Sequence, residues 1–274
     1  MKLSLSVRVA EAFRNKREVN IELEDLAHVA KNAGYEALCM RASMAGTHSP
    51  PERIAGVKAI LRNTNLYVSM ATADFAIPEN GPEGPTSLRN ITPHLDLAEA
   101  LGCDLLRICM KEEKDIPFAQ QASDEAAERG IRLAHQSHTR SLFETVTGSL
   151  DTLKKVNRSN FGIIYEPANL ALCGEDYGPE TIRAYEPHLF NVYLQNHIPN
   201  SNGDTPMDTW ALGRIQSSIY PLDDERGLDF NSVFDGLRSI DYQGYVTVHQ
   251  AFGGDLPPEE ASIRSANYLK SLID

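Results

Sequence analysis

The stretch GIRLAHQSHT, residues 130–139, ends an apolar alternating run in two histidines three apart. On a strand, His135 and His138 point to opposite sides, because side chains alternate with period two. They are therefore not a ready-made pair like histidines at i and i+4 of a helix. Similar polar residues close other apolar runs. Arg41 is followed by His48, Arg107 by Lys111 and Glu166 by Asn169; Asp74, then Tyr193, Gln195, Asn196 and His197, then His249 and Gln250 complete the set. Any one of these histidines reads most simply as structural. Polar residues at so many apolar strand ends read as a site. An imidazole or carboxylate there could take a proton from a carbon next to a carbonyl, with a metal or an arginine steadying the enediolate. His135, Glu166 and His249, with Gln195 or His197 as a fourth donor, could also hold a divalent metal. Glu166 is the one obvious strand-end carboxylate, so the paired carboxylates of glycoside hydrolysis are weakly represented. No nucleophile elbow, Walker loop or GxGxxG after the first strand is present, and no nucleotide cofactor is expected.

Positioning such residues requires strands that converge. Eight strand-like runs are found, at 3–9, 37–43, 66–72, 105–110, 131–137, 161–167, 190–197 and 244–250. Amphipathic stretches separate them. LEDLAHVAKNAG (23–34) puts Leu23, Leu26, Ala27 and Ala30 on one face and ends at a glycine cap. SPPERIAGVKAILRNTN opens with a helix-start signal, and SLRNITPHLDLAEALG (87–102) reads as one helix. Strict alternation of this kind implies parallel strands joined by right-handed crossovers. Eight units in 274 residues predict a single (β/α)8 TIM barrel spanning 1–274, with active-site residues at the C-terminal strand ends. A long irregular stretch at about 197–228 holds the single tryptophan, Trp210, and is expected to help cover the site. The loop after strand three, ADFAIPENGPEGPTS, is expected on the same face.

Bulk properties narrow the partners. A net charge of −12 argues against nucleic acid and anionic membrane, while leaving room for a small anionic ligand beside a local arginine. Charges interrupt the N-terminal segment before any apolar signal region could form, and no apolar run reaches membrane-spanning length. Cys39, Cys103, Cys109 and Cys173 form no CxxC and are read as reduced core thiols of a cytoplasmic protein. A homo-oligomer built through the long loop is compatible with this reading.

GYEAL after the first helix, LDLAEALGCDLLRI at strand four, SLDTLKKV before strand six, IIYEPANL at strand six and GYVTVHQ at strand eight recur in this order along nearly the whole chain. In these segments the chain resembles the xylose isomerase-like TIM barrels, the sugar phosphate isomerase/epimerase superfamily that also includes endonuclease IV. The resemblance implies one divalent metal held by Glu, Asp, His and Glu at the ends of strands five to eight, the two glutamates doubling as acid and base. Matched to that pattern, the positions carry His135, Glu166, Tyr193 with Gln195 on the same face, and His249. His135, Glu166, Gln195 and His249 are thus the expected metal set. Zinc, iron, cobalt or nickel suits these donors, with manganese as a harder alternative. Catalysis is assigned to His135, His249 and Glu166, and substrate binding to Arg41, His48, Arg107, Lys111, His138, Asn169 and Trp210. The function implied is isomerisation or epimerisation of a sugar or keto-sugar. Elimination or hydration on 3-keto-glycosides, and non-catalytic sugar binding, are the alternatives. A nuclease is disfavoured by the acidic balance.

Overall fold

Both faces of the barrel strands are buried here, because the inner face fills the barrel and the outer face meets helices. The computed structural model of the chain describes residues 1–12, 15–74, 81–250 and 256–273. Its central feature is a closed parallel barrel of β1 (Lys2–Ser6), β2 (Ala37–Arg41), β3 (Tyr67–Thr72), β4 (Leu105–Ile108), β5 (Arg132–Gln136), β6 (Phe161–Tyr165), β7 (Leu189–Leu194) and β11 (Tyr245–Val248). Neighbouring strands follow sequence order, and β11 closes on β1. All eight expected strands are present, and the chain adopts the (β/α)8 TIM barrel.

The helices begin and end where local chemistry dictates. α1 (Leu23–Ala33) stops at Gly34, whose φ of 89° lets its N–H reach back to the Ala30 and Lys31 carbonyls. α2 (Pro51–Thr64) opens on proline. The helix expected over 87–102 is instead two, α3 (Thr86–Arg89) and α4 (Thr92–Leu101). Asn90 leaves helical geometry between them, and Pro93 fits only a first turn. α5 (Ile116–Glu128), α6 (Val146–Val156), α7 (Pro167–Leu172), α8 (Pro179–Tyr185), α9 (Phe230–Ser239) and α10 (Pro258–Ile273) complete the described helices. None of the helices in the described residues is long and apolar enough to cross a membrane. All four cysteines are buried.

Two apolar clusters identify the faces. Cys39, Met70, Leu105, Ala134, Ile164 and Tyr193 pack together inside the barrel. Leu38, Leu106, Leu133, Ile163 and Val192 belong to the larger core between strands and helices. With period two, the residue two steps beyond each inner one also points inward. That rule sends Arg41, Arg107, Gln136, Glu166 and Gln195 to the C-terminal mouth.

The stretch expected to be irregular is largely a small antiparallel sheet. β8 (Asn196–Pro199), β9 (Thr205–Thr209) and β10 (Gly213–Tyr220) pair in the order β8-β10-β9. Ile215, Ser217 and Ile219 alternate with more polar neighbours on β10, but only Ser217 is fully buried, so the apolar signal is faint. Polar contacts fasten this sheet instead. Asn196 Nδ2 donates to the Pro221 carbonyl at 2.8 Å, and its Oδ1 accepts from the Leu228 N–H at 2.8 Å. A Cβ on Gly227 would lie 1.8 Å from that Oδ1, so this approach requires glycine. At the far end, Glu144 Oε1 accepts the Ala211 N–H at 2.6 Å. Of the loop expected over the site after β3, residues 75–80 lie outside the described residues.

Candidate active site

The inward residues of the upper strand layer surround a cavity of about 240 Å³ at the C-terminal mouth. β2 contributes Arg41, β4 Arg107, β5 Gln136, and the ends of β7 and β11 contribute Gln195, His249 and Gln250. His138 and Asn169 line it from the segments after β5 and β6. Arg8 and Lys16 close one side, and the small sheet adds His197, Thr205, Met207 and Ile219.

Glu166 sits at this layer and is completely buried. Its Oε2 accepts from Asn169 Nδ2 at 2.7 Å and from Gln136 Nε2; its Oε1 accepts from Gln195 Nε2. Three amides from three different segments therefore fix one carboxyl, and each of those amides also faces the cavity. Burial raises the Glu166 carboxyl to about 8, while Arg107 and the amide donors pull the other way. The Gln136 side-chain oxygen, Oε1, is buried and has no hydrogen-bond partner among the described residues.

Cations crowd the same cavity. Arg41 donates from Nε to Glu11 Oε1 at 2.8 Å, Ser43 donates to the same oxygen at 2.8 Å, and Arg8 Nη1 reaches Glu11 Oε2 at 3.4 Å. Arg107 is 2% exposed. Lys16 is pushed down to about 8 by burial and then by Arg41, Arg8 and Arg107. Below this layer the Tyr193 hydroxyl and Cys39 thiol are 2.9 Å apart and close the floor.

The imidazoles divide into two groups. His249 lines the cavity, stacks on Tyr193 with ring centroids 4.0 Å apart, and has Nδ1 3.1 Å from Ser6 Oγ. Burial and the surrounding cations hold it well below the usual imidazole value. His138 and His197 also line the cavity, and burial lowers them to about 3 and about 4. All three are neutral near pH 7. His135 is different: Gln136 takes the inward place expected for it. His135 stacks against Phe143 on the helix side, and its Nδ1 lies 2.6 Å from the Gln136 carbonyl oxygen.

Of the expected substrate contacts, Arg41, Arg107, His138 and Asn169 line the cavity. Lys111 and Trp210 border a neighbouring hollow that shares His138 and Met207 with it, and Lys111 donates to the Arg140 carbonyl at 2.7 Å. His48 is exposed beside Gly46, away from both. Sequence reasoning missed Gln136, Arg8 and Lys16. The signal for Gln136 was Ala134, a small residue of the kind that fits the barrel interior, two positions earlier.

The donor set does not fit a divalent metal. His135 faces away, both Glu166 oxygens accept amide N–H groups, and four cationic side chains line the same cavity. No group of three His, Cys, Asp or Glu able to hold a metal occurs among the described residues. The expected His135, Glu166, Gln195 and His249 set is therefore not assembled.

A family model described as the xylose isomerase-like TIM barrel matches residues 27–272. An inosose dehydratase from Geobacillus thermodenitrificans is 22% identical over 168 residues, 58% of this chain and 55% of its own length. The match thus spans about half of that curated relative. The probable 3-DHS dehydratase AsbF of Bacillus anthracis superposes with a TM-score of 0.75 at 15% identity, covering 98% of this chain and 99% of the other. A D-allulose 3-epimerase from a Methylomonas species gives a TM-score of 0.67 at 17% identity, covering 99% and 98%.

Proposed function

The chain belongs to the xylose isomerase-like TIM barrel family, and we propose that it is an enzyme moving a proton at the carbon next to a carbonyl of a small polyhydroxylated substrate. The observation that carries this reading is Glu166, a buried carboxyl held by three amides at the cavity wall with a proton affinity near neutrality. A group poised there can both take and return a proton close to working pH. Substrate reaches it by displacing Gln136 or Gln195, the amides between carboxyl and cavity. Neutral His249, held flat on Tyr193, can hydrogen-bond the carbonyl oxygen without carrying a charge. Arg107 supplies the fixed positive charge that an enediolate requires. Every step is carried by the chain's own side chains.

Isomerisation or epimerisation is the primary outcome, and the similarity to an epimerase is in keeping with it. A second reading is favoured by Gln136. An amide cannot act as the second acid or base that inversion from opposite faces requires, whereas one carboxyl can remove the α-proton and then protonate a departing β-hydroxyl. Dehydration of a ketone is then the product, and the similarity to two dehydratases agrees with that.

The test is proton–deuterium exchange in D2O, followed by NMR, on keto-sugars, cyclic polyol ketones and 3-keto-glycosides, each both neutral and bearing a phosphate or carboxylate. Wild type should exchange the α-proton of at least one class, with an enone absorbance appearing if water is lost. Glu166→Gln should lower exchange by roughly 10²–10⁴. Absence of exchange across the panel, or full exchange in the variant, would overturn the reading.

A further inference from the structure

We propose that Arg107 and Arg41 form an oxyanion subsite inside the barrel, so that the substrate carries a carboxylate or phosphate bound by guanidinium groups where a divalent metal would otherwise be expected. This deepens the functional reading above by naming the substrate's charge class.

Three observations support it. Arg107 lines the cavity, is 2% exposed, and its buried Nε has no hydrogen-bond partner among the described residues. Arg41 lines the same cavity at 1% exposure, and its buried Nη1 likewise lacks a partner there. A guanidinium withdrawn from water with a donor unspent is costly unless something completes it. Among the described residues the local acids do not suffice. Glu11 already serves Arg8, Arg41 and Ser43, and Glu166 is occupied by amides.

Charge counting leads the same way. Among the described residues, Arg8, Lys16, Arg41 and Arg107 line the cavity, against Glu11 and Glu166 as the acids around it. The excess is positive even with both acids ionised, in a chain whose overall charge is −12. Such a site repels a divalent cation and attracts an anion. The guanidinium fork matches a carboxylate or phosphate oxygen pair, and neither metal nor neutral sugar would use it in that way.

The probes are inorganic phosphate and acetate, each compared with chloride at constant ionic strength, read as the melting temperature of the full chain. At about ten times the dissociation constant, a bound anion should raise the melting temperature by about 2–4 °C. A shift with phosphate alone or acetate alone identifies which oxyanion the site takes. Arg107→Met should abolish the shift while melting at or above the wild-type temperature without ligand, because an uncompensated buried charge has been removed. Arg107→Lys, which keeps the charge and loses the fork, should weaken the anion at least about tenfold, and it carries the comparison if the methionine variant does not fold. The inference is overturned if neither anion exceeds chloride, if Arg107→Met melts lower and keeps the shift, or if wild type binds manganese or zinc stoichiometrically in the cavity. Anion stabilisation without proton exchange would remove the proposed chemistry and leave this subsite standing. Exchange on neutral substrates without anion stabilisation would do the reverse.

Discussion

The rings of His135 and Phe143 lie face to face, centroids 4.2 Å apart and 8° from parallel. This contact ties the end of β5 to the segment entering α6, on the side of the strand remote from the cavity. His135→Leu should therefore keep proton exchange within about threefold of wild type and lose roughly 1–2 kcal/mol of stability, the usual cost of altering a packed core contact. Exchange by NMR and chemical denaturation check the two halves. A loss of exchange beyond a hundredfold in a folded variant would return His135 to the chemistry.

Activity should depend on pH through Glu166. The base form is the carboxylate, so exchange should rise with pH and level off above the value of about 8 set chiefly by burial. Arg107 beside it holds that value down, so Arg107→Met should move the profile to higher pH. A wild-type profile governed by an inflection near the ordinary carboxylate value would contradict this assignment.

Stability should be squeezed from both sides. Between about 4.5 and about 8 the folded chain keeps a proton on Glu166 that the unfolded chain releases, so this contribution is complete at the acid end and lost as pH rises. His138 and His197 behave oppositely. They stay neutral down to about 3 and about 4, whereas unfolded histidine charges near 6.5, so stability falls as pH drops below that. Each proton taken up on unfolding steepens the acid limb by about 1.4 kcal/mol per pH unit. Urea midpoints between pH 4 and 9 should show it, with Glu166→Gln flattening the fall between about 6.5 and about 8 and steepening the rise between about 4.5 and about 6.5.

Glu144 offers a separate handle on the small sheet. It accepts the N–H groups of Ala211 and Arg140, joining the β9–β10 turn to the loop after β5. Glu144→Ala should remove both hydrogen bonds, at about 0.5–1.5 kcal/mol each for part-buried contacts. The expected phenotype is a raised KM with little change in kcat, and faster proteolysis between residues 200 and 213. Unchanged KM and cleavage would show that the contact is dispensable.

The barrel was legible because alternation, glycine caps such as Gly34 and proline starts such as Pro51 are local properties that survive in a single sequence. The direction of β5 was not. Ile131 and Leu133 look like an inward face, yet in a barrel wrapped by helices the outer face is equally apolar, and the alternation has no sign. Small Ala134 was the inner residue. Glu166, His249, Gln195 and Arg107 stand at the C-terminal mouth because their strands end in the expected register. The small sheet escaped because Asn196, His197 and Glu144 fasten it through hydrogen bonds, and such bonds leave no hydrophobic period to read.

One residue, Gln195, separates the end of β7 from the start of β8. Its amide grips Glu166 while the sheet that follows forms a wall of the cavity. The sheet is thus a lever arm with its fulcrum at that amide. A ligand that tilts the arm must also twist the grip on the carboxyl, so seating a substrate and retuning the proton's host become a single mechanical event.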